Sequence, residues 1–329
     1  ASGEATMRIL ITGGAGFIGT KLARALLARR SLAGRMIEKI RLVDLVRAEG
    51  FDDPRIEAIA GDVTRPGAVF SWFAGGFDAV FHLAAVVSGQ AETDFELGWA
   101  VNLDGTRHVL EAARHLCRRP IFVFASSCAV YGGDLPEPIT DTTHLTPQSS
   151  YGNQKAMGER LVADYHRKGF VRGTSLRLPT IVVRPGRPNL ATTTFLSSIV
   201  REPLNGETAN CPVPVDTKMY CLSPRAVVQA FVHAAELEEG ALSKDRSLLL
   251  PGIAFTVAEE IAALERIAGK AVTARITYEP DALIRRVVLS IPWHFAPERA
   301  LKLGFPVDPD VDSIIRQHIE DERGGRFVA

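Results

Sequence analysis

What most restricts the fold of this chain is an alternation in its first half. Short, almost wholly apolar runs take turns with stretches of helical spacing. "RILIT" at 8–12, "KIRLVDL" at 39–45, "RIEAIAGDV" at 55–63, "FDAVFHLAA" at 77–85, "PIFVFASS" at 120–127 and "GTSLRLPTIV" at 173–182 read as strands. Residues 17–30, 93–115 and 151–166 read as helices. A strand with no polar face offers no side to water, so its sheet is covered on both faces, and strands joined through helices pair in parallel. Right-handed crossovers then wind the sheet outward in both directions. The expected fold is α/β, with a doubly wound parallel sheet.

Past residue 183 the texture changes. "RPGRPNLATTTF" is rich in Pro, Thr and Arg and reads as loop. Helical patterns recur at 196–201, 224–237, 257–267, 297–303 and 311–322, with short strand candidates near Leu248 and at 274–278. This gives a dinucleotide-binding domain over 7–183 and a smaller mixed α/β lobe for substrate over 184–329, interleaved with the end of the sheet. Residues 1–6 precede a natural-looking start at Met7 and are expected to be an added remnant.

The 329 residues carry 38 basic and 38 acidic side chains, so the net charge is zero. A general nucleic-acid-binding role is not expected from such a balance. No apolar run has the roughly 18–20 residues of a membrane span, and no secretory signal is visible. Cys117, Cys128, Cys211 and Cys221 form no C-x-x-C pair and are expected to be reduced thiols of a cytoplasmic protein. No His/Cys/Asp cluster has metal-ligand spacing, so no metal is expected. His82, inside an apolar strand, is expected to be structural.

The first strand runs into "GGAGFIG" and then into a helix. In an open α/β sheet, ligands bind outside the carboxyl ends of the strands. Glycine at Gly13, Gly16 and Gly19 permits a tight turn, close approach of phosphate oxygens and close strand–helix packing, and the helix N-terminus favours an anion. Asp44, ending the second strand, suits the two hydroxyls of an adenosine ribose and would repel a 2′-phosphate, which points to NAD. Asp62 in "GDV" either approaches the adenine edge or is a turn aspartate.

"SSYGNQK" sets Tyr151 and Lys155 one helical turn apart on one face. Just upstream, "FVFASSCAVYGG" ends a buried strand with Ser126 and Ser127. Hydride removal from an alcohol needs a base for the hydroxyl proton. A tyrosine serves when a nearby ammonium favours its phenolate. A serine hydroxyl can hold the substrate oxygen.

In this order, "TGGAGFIG", Asp44, "HLAA", "VNLDGT", "SSCAVYG" and "YGNQK" resemble the extended short-chain dehydrogenase/reductase family, which has the Rossmann fold. The resemblance covers essentially the whole chain. It implies Ser127, rather than Ser126, as the active serine, with Tyr151 as base and Lys155 as its partner. It implies NAD contacts from Gly13, Gly16, Phe17, Ile18, Gly19, Asp44, Asp62, Val63, Tyr151 and Lys155, with Leu83, Ala84 and Ala85 passing under the cofactor. Asn102 would support the active-site helix, with water as one way to bridge to it, and Pro179 would meet the nicotinamide. Relatives also suggest a homodimer in which helices 93–115 and 151–166 form a four-helix interface.

Departures from the nucleotide-sugar members narrow the reaction. Thr180 stands where those enzymes usually carry an asparagine, "CLSPRAVVQAF" replaces a "VDDV"-type stretch, and Cys128 and Ala129 follow Ser127 where dehydratases carry an acid pair. A finer resemblance, in "AAVVSGQAETDFELGWAVNLDGT", "VRPGRPN", "FLSSIVREPLNGE" and "CPVPVD", is to a sugar-acid dehydrogenase branch. It implies oxidation of a short sugar acid beside its carboxylate, giving a 2-keto acid. A substrate carboxylate needs a cation, and Arg184 is the first choice because a guanidinium binds both oxygens. Ser88, Gly89, Thr180, Thr193 or Thr194 are candidates for the remaining hydroxyls, alongside Ser127 and Tyr151. The alternatives are a nucleotide-sugar epimerase or reductase, and a cofactor-sensing scaffold without catalysis.

Overall fold

Ile9, Leu10 and Ile11 are all fully buried, on both faces of the strand Thr6–Thr12, as the centre of a sheet covered on two sides requires. The computed structural model describes residues 6–188 and 191–329. The expected remnant at 1–6 thus lies outside the described residues, except for Thr6, which begins this strand.

The described residues form two compact units, one of 6–130, 149–177 and 228–249, the other of 131–148, 178–188, 191–227 and 250–329. The first is built on an eight-stranded, mostly parallel sheet. Its strands run in the order Ser247–Leu249, Arg172–Leu178, Ile121–Ser127, Ala79–His82, Thr6–Thr12 and Arg35–Asp44. Ile56–Ala60 pairs in parallel, and the short Ser31–Leu32 antiparallel, with Arg35–Asp44. From Thr6–Thr12 the chain winds first toward Arg35–Asp44, then returns to lay Ala79–His82 on the other flank. The carboxyl ends of Thr6–Thr12 and Ala79–His82 therefore flank the point where the winding reverses, the usual place for a ligand.

The second unit holds a three-stranded sheet in which Lys218–Leu222 lies between Ile253–Thr256 and Thr180–Ile181. Its core gathers Phe195, Leu196 and Ile199 of the helix Thr194–Leu204 with Val257, Ala263 and Leu264 of Val257–Ala268 and Ile314, Ile315 and Ile319 of Val311–Arg323.

Three features differ from expectation. No single cut at 183 divides the chain, because 131–148 and 178–183 group with the second unit and 228–249 with the first. The strand expected over 173–182 is two strands, Arg172–Leu178 and Thr180–Ile181, in different sheets. Pro179 separates them and has no N–H to continue a ladder. The helix expected over 93–115 is interrupted. Asp94 leaves helical geometry and caps Phe95–Gly98 by accepting from Leu97 N at 3.0 Å, and Trp99–Asp104 is a π-helical turn before Gly105–Leu116. Such bulges re-aim side chains, and Asn102, within it, is buried.

Candidate active site

The helix Phe17–Arg29 begins at Gly16 with no side chain capping it and no acid in its first turn. Its positive end therefore suits an anion. Gly13 has φ +70°, and a Cβ there would lie 2.9 Å from the backbone of Leu83 and Ala84. At Gly19 a Cβ would fall 2.2 Å from the Gly13 carbonyl oxygen. The turn thus lies directly against the chain leaving Ala79–His82. Asp44 ends its strand beside the same turn, its carboxylate accepting from Ala15 N at 3.1 Å and Leu45 N at 2.7 Å. A bare helix N-terminus, a glycine cradle that side chains would fill, and a carboxylate closing the second strand fit a dinucleotide.

Asp62 is more committed. One oxygen accepts from Thr64 N at 2.9 Å and Thr64 Oγ1 at 2.8 Å, and the other lies 3.9 Å from Arg65. This is the geometry of an Asx turn. Val63 is buried and packs where a Cβ on Gly105 would stand.

Below the glycine turn runs a buried hydrogen-bonded relay. Leu83 N and Ala84 N both donate to Thr12 Oγ1 at 3.2 Å. Thr12 Oγ1 meets His82 Nδ1 at 2.7 Å, His82 Nε2 meets Thr106 Oγ1 at 2.9 Å, and Thr106 donates to the Asn102 carbonyl at 2.7 Å. Because the Thr106 hydroxyl donates onward, His82 Nε2 carries the proton and Nδ1 accepts from Thr12. Burial, with Lys155 adding to it, pushes the His82 pKa down to about 3, so the imidazole is neutral. His82 is structural, as expected, and fixes the backbone of Leu83 and Ala84.

Asn102 joins two elements. Its side chain clamps Val86, accepting from the N–H at 2.9 Å and donating to the carbonyl at 3.2 Å, and donates directly to Gln154 Oε1 at 2.8 Å. It reaches the helix Ser150–Arg167 through a side chain, with no need of water for that link.

That helix carries Tyr151 and Lys155. Ser149 caps it by accepting from Gly152 N at 3.0 Å, and Glu92 accepts from Ser150 N at 2.9 Å. Glu92 belongs to Ser88–Thr93, the helix that opens with Ser88 and Gly89. Lys155 is 2 % exposed. Its Nζ donates to the Ala125 carbonyl at 2.7 Å and lies 4.9 Å from the Phe124 ring centre and 5.6 Å from that of Tyr151. Burial pulls its pKa from 10.5 down to about 7, opposed by Glu159. Ser127 ends the strand Ile121–Ser127, and its Oγ accepts from Ala129 N at 3.0 Å. Ser126 points elsewhere, donating to Glu159 at 2.6 Å.

The first unit therefore carries Gly13 through Gly19, Asp44, Asp62, Val63, Leu83 to Ala85, Ser88, Gly89, Asn102, Ser127, Tyr151 and Lys155. Pro179, Thr180, Arg184 and Thr193 belong to the second. Pro179 is buried, and Thr180 pairs with Cys221. Arg184 is half-buried, with its N–H donating to Ser197 Oγ at 2.9 Å, and Thr193 is the N-cap of Thr194–Leu204. Sequence reasoning missed Glu159 and its partner Arg177. Glu159 was findable as the next step of the Tyr151, Lys155 spacing. Among the described residues no cluster of His, Cys, Asp and Glu is arranged to hold a metal, and no helix is long and apolar enough to cross a membrane.

Comparison with known proteins identifies the family. Residues 9–243 match the NAD dependent epimerase/dehydratase family, and the chain belongs to that family. It is an NAD-dependent oxidoreductase of the extended short-chain type. More particularly, it is 50 % identical over 319 residues to the D-erythronate dehydrogenase of Cupriavidus necator, covering 96 % of this chain and 98 % of that one. It is 42 % identical over 315 residues to the D-erythronate dehydrogenase of Haemophilus influenzae, covering 95 % and 99 %. Among solved structures, one described as a nucleoside-diphosphate-sugar epimerase from Agrobacterium tumefaciens superposes with a TM-score of 0.93 at 42 % identity, covering 98 % of this chain and 96 % of that one.

Proposed function

We propose that this protein is an NAD-dependent dehydrogenase of short sugar acids, oxidising the 2-hydroxyl of D-erythronate or a close relative to the 2-keto acid. The observation that carries the chemistry is Lys155, buried beneath the Tyr151 ring with its Nζ on the Ala125 carbonyl. The substrate class follows from the two dehydrogenase relatives, which align over nearly the whole chain.

In this reading bound NAD would supply the acceptor for the hydride that leaves C2. Gly13, Gly16, Phe17, Ile18 and Gly19 would hold its pyrophosphate and Asp44 its adenosine ribose, with Leu83 to Ala85 also against it. Tyr151 takes the hydroxyl proton as phenolate. Lys155 favours that phenolate by its charge. Ser127, whose oxygen already accepts within its own turn, offers its O–H to the substrate oxygen. Arg184 binds the carboxylate, with Ser88, Gly89, Thr180 and Thr193 as partners for the chain hydroxyls and Pro179 beside the nicotinamide. The enzyme is cytoplasmic in this reading, and helices 105–116 and 150–167 pair with those of a second copy in a homodimer.

The test is NAD reduction across a panel of four- to six-carbon sugar acids, each beside its neutral polyol. Turnover of the acids alone supports the proposal, and equal turnover of the polyols overturns the carboxylate site. A second reading, a nucleotide-sugar epimerase, is favoured by the Agrobacterium structure's description. Competition by nucleotide-sugars at micromolar concentration would favour it.

Two expected outcomes refine the proposal. Asp44→Ala should weaken NAD and narrow its advantage over NADP, read from kcat/KM with each; a wild type that uses both equally would refute the role given to Asp44. Arg184→Ala should raise KM for the sugar acid about tenfold or more, since a hydrogen bond to a charged group is worth about 1.5–3 kcal/mol. NAD affinity should not change.

A further inference from the structure

Tyr151, Lys155 and Glu159 stand at successive i, i+4 positions of the helix Ser150–Arg167, on one face. Both Lys155 and Glu159 are almost fully buried. The strand Ile121–Ser127 receives them side by side, the Ala125 carbonyl taking the lysine and the Ser126 hydroxyl the glutamate. Gly158 makes this closeness possible, because a Cβ there would come 2.7 Å from the Phe124 ring. From the next strand, Arg177 grips Glu159 with two bonds, Nε to Oε1 at 2.9 Å and Nη2 to Oε2 at 2.7 Å. Both partners of this ion pair are shielded, with side chains 5 % and 1 % exposed. The result is a buried row of alternating charge: Lys155, Glu159, Arg177.

We infer that Glu159 is a positioning residue for the Tyr151–Lys155 pair, its fixed carboxylate holding the buried Lys155 in its ammonium form and Arg177 limiting how strongly it does so. The inference rests on the reading of Tyr151 and Lys155 as the proton-transfer pair.

A pair needed only to join helix to sheet has no reason to sit one turn from the working lysine. The Ala125 carbonyl and the faces of the Phe124 and Tyr151 rings also favour the ammonium, but as neutral groups. His82, from the neighbouring strand, is neutral. Cys128 has its thiol pushed up by burial and stays protonated. Arg177 is a cation. Tyr151 supplies a negative charge only as phenolate, the state that Lys155 is needed to create. Among the described residues Glu159 is the carboxylate that acts on Lys155, and burial opposes the ammonium it supports.

The test compares Glu159→Gln and Arg177→Met with wild type in the pH dependence of kcat/KM for sugar-acid oxidation, and follows the Lys155 Nζ resonance by nitrogen NMR in the cofactor-free protein. Glu159→Gln is expected to lower the Lys155 titration and to move the acidic limb of the profile to higher pH by about one unit, with at least a tenfold loss at pH 7 that recovers in part as pH rises. Arg177→Met is expected to move both in the opposite direction. Loss of fold cannot produce shifts of opposite sign. If Glu159→Gln does not fold, the Arg177→Met shift alone decides. Lower melting temperatures with an unmoved Lys155 titration and unmoved limbs would overturn the inference and leave a purely structural pair. Tyr151→Phe separates the two readings: if it stays active, the proton-transfer pair itself is wrong, whereas an inactive Tyr151→Phe with unmoved limbs refutes Glu159 alone.

Discussion

Replacing Tyr151 by phenylalanine is expected to lower kcat about 10²–10⁴-fold, the usual contribution of a positioned general base, while NAD affinity changes little. The ring stays, so packing over Lys155 is retained. Only the phenolic oxygen is lost, and with it the proposed route for the hydroxyl proton. Ser127→Ala should also cost heavily, because Ser127 ends its strand at the half-buried turn Cys128–Val130 with its hydroxyl already oriented by Ala129 N. Ser126→Ala should behave differently. It removes a donor from Glu159, so its first effect is on melting temperature. Steady-state rates with the sugar acid and NAD check all three, and near-wild-type turnover in Tyr151→Phe would end the proposed mechanism.

The parts of this site that were legible in the sequence are those in which neighbours along the chain do the work. The glycine turn is such a case: a strand, four residues and a helix fix where Gly13 to Gly19 lie, whatever the rest of the molecule does. Tyr151 and Lys155 share a face by helix geometry alone. The alternation of apolar strands gave the parallel sheet for the same reason. Asn102 was less legible because its role depends on Val86 and Gln154, 16 and 52 residues away, and on the π-helical turn that aims it inward. Arg177 reads in sequence as one more residue of a strand, and only the packing of helix on sheet gives it Glu159. In the second unit the strands Thr180–Ile181, Ala209–Asn210 and Ile276–Thr277 have two residues each, too short to carry a period. Its substrate residues therefore rested on a resemblance, whereas the proton-transfer pair rested on spacing.

Lys155→Met is expected to abolish oxidation and yet to raise the melting temperature at pH 7. In the folded protein burial lowers the lysine from 10.5 to about 7, while the unfolded chain titrates near 10.4. Folding therefore releases a proton between these values. The cost of burying the ammonium is fully present below about pH 7 and fades as pH rises toward 10.5. At about 1.4 kcal/mol for each pH unit, that cost is on the order of 5 kcal/mol. Methionine escapes it and fills a similar volume, but leaves the Ala125 carbonyl without its donor, a loss of about 1–3 kcal/mol. The balance favours the variant at pH 7. Its advantage should shrink steadily as pH rises from about 7 through about 10.5, above which wild-type Lys155 is neutral in both states. Thermal melts of the two proteins at several pH values measure this difference, and groups common to both cancel. A variant that melts below wild type, by an amount independent of pH, would show that Lys155 is not buried at a cost. If a single methionine removes this cost, at the position proposed for the tyrosine's partner, the buried lysine is kept for chemistry rather than for the fold.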